Sequence, residues 1–151
     1  MELTISKEFK FSASHILPKH PGKCSNLHGH NWKLRVYVTG EVDKETGFVM
    51  DYGDLKNVIQ PIIDRLDHKH LGTWMIDGNI IIDYNYNKLW RVDELPYEFY
   101  PTSENLIVWI AEQITEYVIS KAGNNKLPWS RLELDETDTV CCALTREEYD
   151  K

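Results

Sequence analysis

Three histidines lie where two predicted strands would meet. His28 and His30 are two residues apart in the segment CSNLHGH, and His15 ends the earlier segment FKFSASH. Successive strand side chains point to opposite faces, so His28 and His30 share a face, and His15 lies on the apolar face of its own strand. Pairing of the strands would bring the three imidazoles together. An isolated H-x-H pair is more often two ordinary histidines, but three converging imidazoles with an open fourth position are typical of catalytic zinc.

Cys24, four residues before His28, can be interpreted in three ways. As a thiolate it could be a fourth ligand that closes a structural zinc site in a non-catalytic module. Near a cation its pKa would fall, which would make it a competent base or nucleophile. It could also be an inert loop cysteine, because its loop carries Pro and Gly residues and it has no partner in C-x-x-C spacing. The residues alone leave these alternatives open.

Two further polar groups are candidates for chemistry. Asp67 and His68 are adjacent in RLDHKHL, where a carboxylate and an imidazole could pass a proton, or could simply form a solvated helix end. Glu136 shares a predicted strand face with Leu132 and Leu134. A carboxylate at the end of an apolar face is costly unless it meets a ligand or a cation. The alternative is a glutamate beyond the edge of the core.

Alternation and helical periodicity predict the elements that position these residues. They follow the order strand, strand, helix, helix, strand, strand, at residues 9–15, 28–38, 55–66, 106–118, 132–134 and 140–144. This order predicts an α+β fold with an antiparallel sheet. Pro61 inside the first helix lowers its expected regularity, and Thr102 or Ser103 would cap the second. Residues 72–100, which include a predicted hairpin with an Asp-Gly turn, are interpreted as an insertion.

The composition is that of one globular domain. The chain has 151 residues, of which 42% are hydrophobic and 27% charged. A net charge of −7 gives no basic field for nucleic acid or an anionic membrane, and no apolar run reaches the length of a membrane span. The three cysteines make a poor disulfide framework and, with no visible secretory signal, predict a cytoplasmic protein. Cys141 and Cys142 are expected to pack within a strand.

Six motifs occur in order: F-x-F-x-A-x-H ending at His15, C-x-x-x-H-G-H at 24–30, TGFVMDYGDLK at 46–56, LDH at 66–68, PTSEN at 101–105 and ET at 136–137. Together they resemble the 6-pyruvoyl-tetrahydropterin synthase and 6-carboxytetrahydropterin synthase family, over residues 1–71 and 101–146. The resemblance implies the tunnelling fold, with a four-stranded antiparallel sheet and two helices on one face. It also implies a homo-oligomer, a trimer or hexamer, with active sites between subunits.

The same resemblance implies roles for the residues singled out above. The three histidines would bind Zn²⁺, and Cys24 would be the general base. Asp67 and His68 would be its charge-relay partners, contributed by a neighbouring chain. Glu136 would hold the N–H edge of a pterin through charge-assisted hydrogen bonds.

Thr102 and Ser103 would touch the pterin or serve only as a helix cap. The implied substrate is 7,8-dihydroneopterin triphosphate. Cleavage of its side chain would give 6-carboxytetrahydropterin, acetaldehyde and triphosphate for 7-deazaguanine (queuosine and preQ0) synthesis, and retention would give 6-pyruvoyltetrahydropterin. The short chain and the C-x-x-x-H-G-H motif resemble the compact prokaryotic members of the family, and this resemblance favours cleavage. Because the net charge is acidic, attraction for a triphosphate must be local.

Overall fold

The computed structural model describes residues 1–72, 75–76, 79–80, 99–121 and 127–151. Its elements are β1 (Glu2–His15), a 3₁₀ turn (Lys23–Ser25), β2 (His28–Glu41), α1 (Tyr52–Leu66), β3 (Lys69–Leu71), β4 (Met75–Ile76), β5 (Asn79–Ile80), α2 (Ser103–Lys121), β6 (Trp129–Thr137), β7 (Val140–Thr145) and α3 (Arg146–Tyr149). The predicted order of strands and helices is confirmed. The short β3 and α3 are additional.

The main sheet has five strands in the order β3-β1-β2-β6-β7. β1 and β2 pair antiparallel over their whole length, from Glu2 opposite Glu41 to His15 opposite His28. β6 and β7 continue the antiparallel pairing, whereas β3 runs parallel to β1. The α+β fold is therefore confirmed, and the count of four strands is corrected to five. Three residues are too few to give an alternation signal, so β3 escaped prediction.

One face of this sheet carries the core. The buried residues of β1 and β2 alternate along each strand, and they form one cluster with the inward residues of α1 and α2. Trp32, Leu34, Val36 and Val38 of β2 are fully buried. Each such side chain contributes roughly 1.5–3 kcal/mol relative to an exposed one. Both long helices thus cover the face to which the three histidines belong.

A side chain caps the start of each of the two long helices. The Asp51 carboxylate accepts a hydrogen bond from the Gly53 N–H at the start of α1, and Pro61 lies inside this helix without ending it. The Thr102 hydroxyl accepts from the Asn105 N–H at the start of α2, as predicted. No helix among the described residues is long and apolar enough to cross a membrane.

Two smaller expectations are confirmed in part. β4 and β5 pair antiparallel as the predicted hairpin, with Met75 opposite Ile80, while its Asp-Gly turn and most of the 72–100 insertion lie outside the described residues. Cys142 packs against the core as expected. The prediction was wrong for Cys141, which is exposed, because adjacent strand residues point to opposite faces.

Candidate metal centre and active site

The three predicted histidines converge at one end of the sheet. The β1–β2 register places His28 opposite His15, and His30 opposite Ala13. One ligand nitrogen from each ring lies within 4.8 Å of the others, and the ring centroids are 4.5–5.0 Å apart. The fully buried Trp32 packs edge-on against His15 and His30. The indole ring of Trp32 therefore supports two rings of the cluster.

Backbone carbonyls fix the orientation of two of these rings. Nδ1 of His15 lies 2.8 Å from the Pro101 oxygen, and Nδ1 of His28 lies 2.7 Å from the Asn26 oxygen. A carbonyl can only accept, so both Nδ1 atoms carry the hydrogen and both Nε2 atoms are left with a lone pair. Such contacts typically orient metal-binding histidines. The sequence did not identify Asn26 or Pro101, because each acts through its backbone oxygen.

The Nε2 atoms of the cluster meet the requirements of a metal site. All three are buried and have no hydrogen-bond partner among the described residues. Buried nitrogen atoms are normally hydrogen-bonded, so three buried Nε2 atoms that converge on one point without a partner are explained by a cation. The three histidines could hold a metal ion, and this donor set suits zinc.

The surroundings of His15 and His30 keep these two imidazoles neutral. Burial lowers the pKa of His15 to about 4, against an opposing effect of its hydrogen bond to Pro101, and the neighbouring histidines lower the pKa further. Burial also lowers the pKa of His30, although Glu136 acts in the opposite direction. A histidine must be neutral to bind a metal, so these two are in the binding form at pH 7.

Glu136 lies beside the cluster. Its Oε1 is 3.3 Å from Nε2 of His30, within ion-pair distance but outside hydrogen-bonding geometry, and its side chain is about one-fifth exposed. The β6–β7 register shifts between Asp135 and Thr137, and a bulge of this kind re-aims the residue within it. Glu136 is not part of the metal-ligating group found among the described residues. The carboxylate therefore faces the centre without completing it.

Cys24 lies on the 3₁₀ turn between β1 and β2. Its carbonyl accepts a hydrogen bond of 2.9 Å from the Leu17 N–H, which holds this turn against the chain just after His15. The half-buried thiol is free, and in the described part of the chain it does not belong to the metal-ligating group. This arrangement disfavours a closed site with Cys24 as fourth ligand.

Asp67 and His68 form the predicted pair at the turn between α1 and β3. Oδ2 of Asp67 is 3.0 Å from Nδ1 of His68, and its Oδ1 accepts from the Ser12 N–H at 2.8 Å. Burial would raise the pKa of Asp67, but the hydrogen bonds from Ser12 and His68 outweigh it and lower the pKa. The His68 side chain is 82% exposed. Over the ranges that the structure describes, this pair makes no recorded contact with Cys24 of the same chain.

Thr102 and Ser103 both have local structural partners. Thr102 caps α2, and the buried Ser103 hydroxyl donates to the Glu104 carboxylate at 3.3 Å. Both adjoin Pro101, whose oxygen orients His15. They therefore lie at the same end of the sheet as the metal centre.

The sequence profile of the family described as 6-pyruvoyl tetrahydropterin synthase matches residues 4–147. The chain belongs to this family. A solved structure of the Caenorhabditis elegans 6-pyruvoyl tetrahydropterin synthase superimposes with a TM-score of 0.71 at 24% identity, over 96% of each chain. At that identity the likeness shows a shared fold. The histidine cluster is thus part of a pterin synthase fold.

Relatives within the 6-pyruvoyl tetrahydropterin synthase family carry more than one name. The chain is 43% identical over 135 residues to a putative 6-carboxy-5,6,7,8-tetrahydropterin synthase of Archaeoglobus fulgidus, covering 87% of this chain and 96% of that relative. It is 38% identical over 117 residues to the Synechocystis 6-carboxy-5,6,7,8-tetrahydropterin synthase, over 74% of each. It is 32% identical over 114 residues to the Pyrococcus furiosus dihydroneopterin monophosphate aldolase, over 76% of each.

Proposed function

We propose that this protein is a zinc-dependent 6-carboxy-5,6,7,8-tetrahydropterin synthase. It would convert 7,8-dihydroneopterin triphosphate and one water molecule into 6-carboxytetrahydropterin, acetaldehyde and triphosphate for 7-deazaguanine synthesis. The observation that carries the proposal is the convergence of three buried Nε2 atoms that have no hydrogen-bond partner among the described residues. The turn that joins their two strands carries Cys24, whose thiol is free. The choice of reaction is supported by relatives of that name at 43% and 38% identity.

In this proposal, Nε2 of His15, His28 and His30 would hold the ion. The carbonyls of Pro101 and Asn26 would keep the His15 and His28 nitrogens aimed at it. A bound zinc ion would polarise the hydroxyl and carbonyl oxygens of the substrate side chain and so acidify the adjoining C–H and O–H groups. The lowered pKa values of His15 and His30 keep these two side chains in the neutral state that metal binding requires.

Cys24 would be the general base. The hydrogen bond between its carbonyl and Leu17 holds its turn next to the end of β1, where the metal ligands begin. A thiolate there would take a proton from the acidified side-chain carbon and return it at a later step. Cys24 would lie near the ion without being one of its ligands.

Asp67 and His68 would complete this proton path from a neighbouring subunit of a homo-oligomer. Asp67 stays ionised through its bonds to Ser12 and His68 and would orient the imidazole. The high exposure of the His68 side chain in a single chain suits a role at a subunit interface. Cys24 of one subunit would then exchange protons with this pair on another.

Glu136 would hold the pterin ring by accepting hydrogen bonds from its N–H edge. Oε1 of Glu136 is 3.3 Å from Nε2 of His30, so a pterin ring held there would direct the substrate side chain toward the metal centre. Thr102 and Ser103, at the start of α2, would contact the same ring from the side of Pro101 while keeping their hydrogen bonds within the helix terminus.

Incubation of the zinc-loaded protein with 7,8-dihydroneopterin triphosphate, followed by mass analysis of the products, tests the proposal. Acetaldehyde with 6-carboxytetrahydropterin is the expected result. A 6-pyruvoyl product would show elimination without side-chain cleavage. Cleavage of dihydroneopterin monophosphate instead would point to the activity for which the Pyrococcus furiosus relative is named. No turnover of any dihydropterin would leave a non-catalytic zinc-binding module.

A further inference from the structure

Ser14 and His70 form a hydrogen-bonded pair that the proposed mechanism does not use. β3 pairs with β1 so that His70 lies directly beside Ser14. The Ser14 hydroxyl oxygen is 2.9 Å from Nδ1 of His70. His70 is only 2% exposed, and Ser14 is half-buried. An imidazole held this deeply beside a hydroxyl is a specific arrangement rather than a solvated surface contact.

This pair lines a cavity of about 440 Å³ that also reaches His30 of the metal centre. Of the nine lining residues that the structure describes, only Ala13 and Gly29 lack a polar side chain. The cavity thus offers hydroxyl, amide, imidazole and ammonium groups, from Ser12, Ser14, Asn31, His68, Lys69 and His70. These groups can hydrogen-bond to the hydroxylated, phosphate-bearing end of a ligand.

The two serines of this cavity differ in what their hydroxyl hydrogens do. The Ser12 hydroxyl donates to the Asn31 side-chain oxygen at 2.8 Å, so its hydrogen is already engaged. Among the residues that the structure describes, the Ser14 hydroxyl oxygen has one hydrogen-bond contact, with Nδ1 of His70. In the tautomer in which Nδ1 carries the hydrogen, His70 donates to Ser14 and leaves the serine hydrogen to be donated into the cavity.

We propose that Ser14 donates this hydrogen to a phosphate oxygen of the substrate, and that His70 positions the hydroxyl to do so. Lys69, next to His70 in β3 and also lining the cavity, adds a positive charge. The inference rests on the proposed function for the identity of the substrate as a triphosphate ester. His70 acts through Ser14 and is a positioning residue. A hydrogen bond to a charged oxygen is of the stronger kind.

Binding of inorganic triphosphate to the zinc-loaded protein, measured by calorimetry, tests this directly. Ser14→Ala and His70→Leu should each raise the dissociation constant at least about tenfold, as expected for a lost hydrogen bond to a charged group. They should raise KM for 7,8-dihydroneopterin triphosphate similarly and leave kcat within about twofold. His70→Asn, which keeps a side-chain N–H donor, should recover most of the affinity. Ser6→Ala, an exposed serine of β1 away from the cavity, is the matched control.

Equal triphosphate affinity in Ser14→Ala and the native protein would overturn the inference, even if the protein is an active synthase. A lower kcat with unchanged triphosphate affinity would overturn it as well. Weaker triphosphate binding by Ser14→Ala in a protein that turns over no dihydropterin would uphold the phosphate site and refute the proposed function. If His70→Leu loses its fold or its zinc, the comparison of Ser14→Ala with Ser6→Ala decides the outcome.

Discussion

Acidification of the metal-free protein should destabilise it through His15. This side chain has no exposed surface, and its pKa is lowered from 6.5 to about 4. Between these two values the unfolded chain binds a proton that the folded chain does not. The stabilisation is therefore complete above pH 6.5 and is lost as the pH falls toward 4.

The magnitude follows from the same two pKa values. A difference of one pKa unit corresponds to about 1.4 kcal/mol, so His15 alone should cost about 3 kcal/mol of unfolding free energy by pH 4. The lowered pKa of His30 adds to the effect in the same direction. The pKa values of Asp67 and Glu133 lie below their ordinary 3.8 and 4.5. Their contribution to the free energy of unfolding is therefore lost only below about pH 4.5. The histidines therefore lose their stabilising contribution at higher pH than the carboxylates do.

Urea unfolding of the metal-free protein at several pH values from 7.5 to 4 measures this loss. His15→Gln is the matched control, because glutamine can still donate to the Pro101 carbonyl but does not titrate. The native protein should lose about 3 kcal/mol across the window, and the variant should show a much flatter profile. Unchanged stability of the native protein between pH 6.5 and 4.5 would refute a buried, neutral His15.

Three further substitutions follow from the turns around the site. Gly72→Ala should lower both stability, measured by thermal unfolding, and zinc affinity, measured by titration. Gly72 has φ +81°, and a Cβ there would lie 2.5 Å from the Phe99 oxygen and 2.9 Å from Pro101, whose carbonyl orients His15. Native zinc affinity would contradict this. His68→Gly should be about 1 kcal/mol more stable than His68→Ala, since φ at this residue is +59°; equal unfolding midpoints would contradict it. Asp67→Asn should keep its fold and lose at least about 100-fold in kcat, and native kcat would remove this residue from the proton path.

The strands that carry the metal centre could be predicted because their signal is local. Alternation along β1 and β2 placed His15, His28 and His30 on the apolar face, and the register confirms that they meet. Leu132 and Leu134 likewise placed Glu136 on the inner face of β6, where it reaches His30. A period of two assigns a side chain to a face with no knowledge of the rest of the chain.

The remaining features depend on distant parts of the chain or on backbone atoms. Pro101 is 86 residues from His15, and it contributes only a carbonyl oxygen. The parallel pairing of β3 with β1, which joins Ser14 to His70, involves too few residues to leave a periodic pattern. Periodicity also assigns no position to a loop side chain, so coordinates were needed to show that Cys24 lies outside the metal-ligating group found among the described residues.

Zinc content and turnover, measured together on the native protein, His15→Ala and Cys24→Ala, test the open three-histidine centre most directly. The native protein and Cys24→Ala should each bind about one zinc ion per chain, as three histidine ligands suffice for a catalytic site. His15→Ala should lose the metal, and only the native protein should turn over 7,8-dihydroneopterin triphosphate. Loss of zinc from Cys24→Ala, or a native zinc content in His15→Ala, would contradict this arrangement.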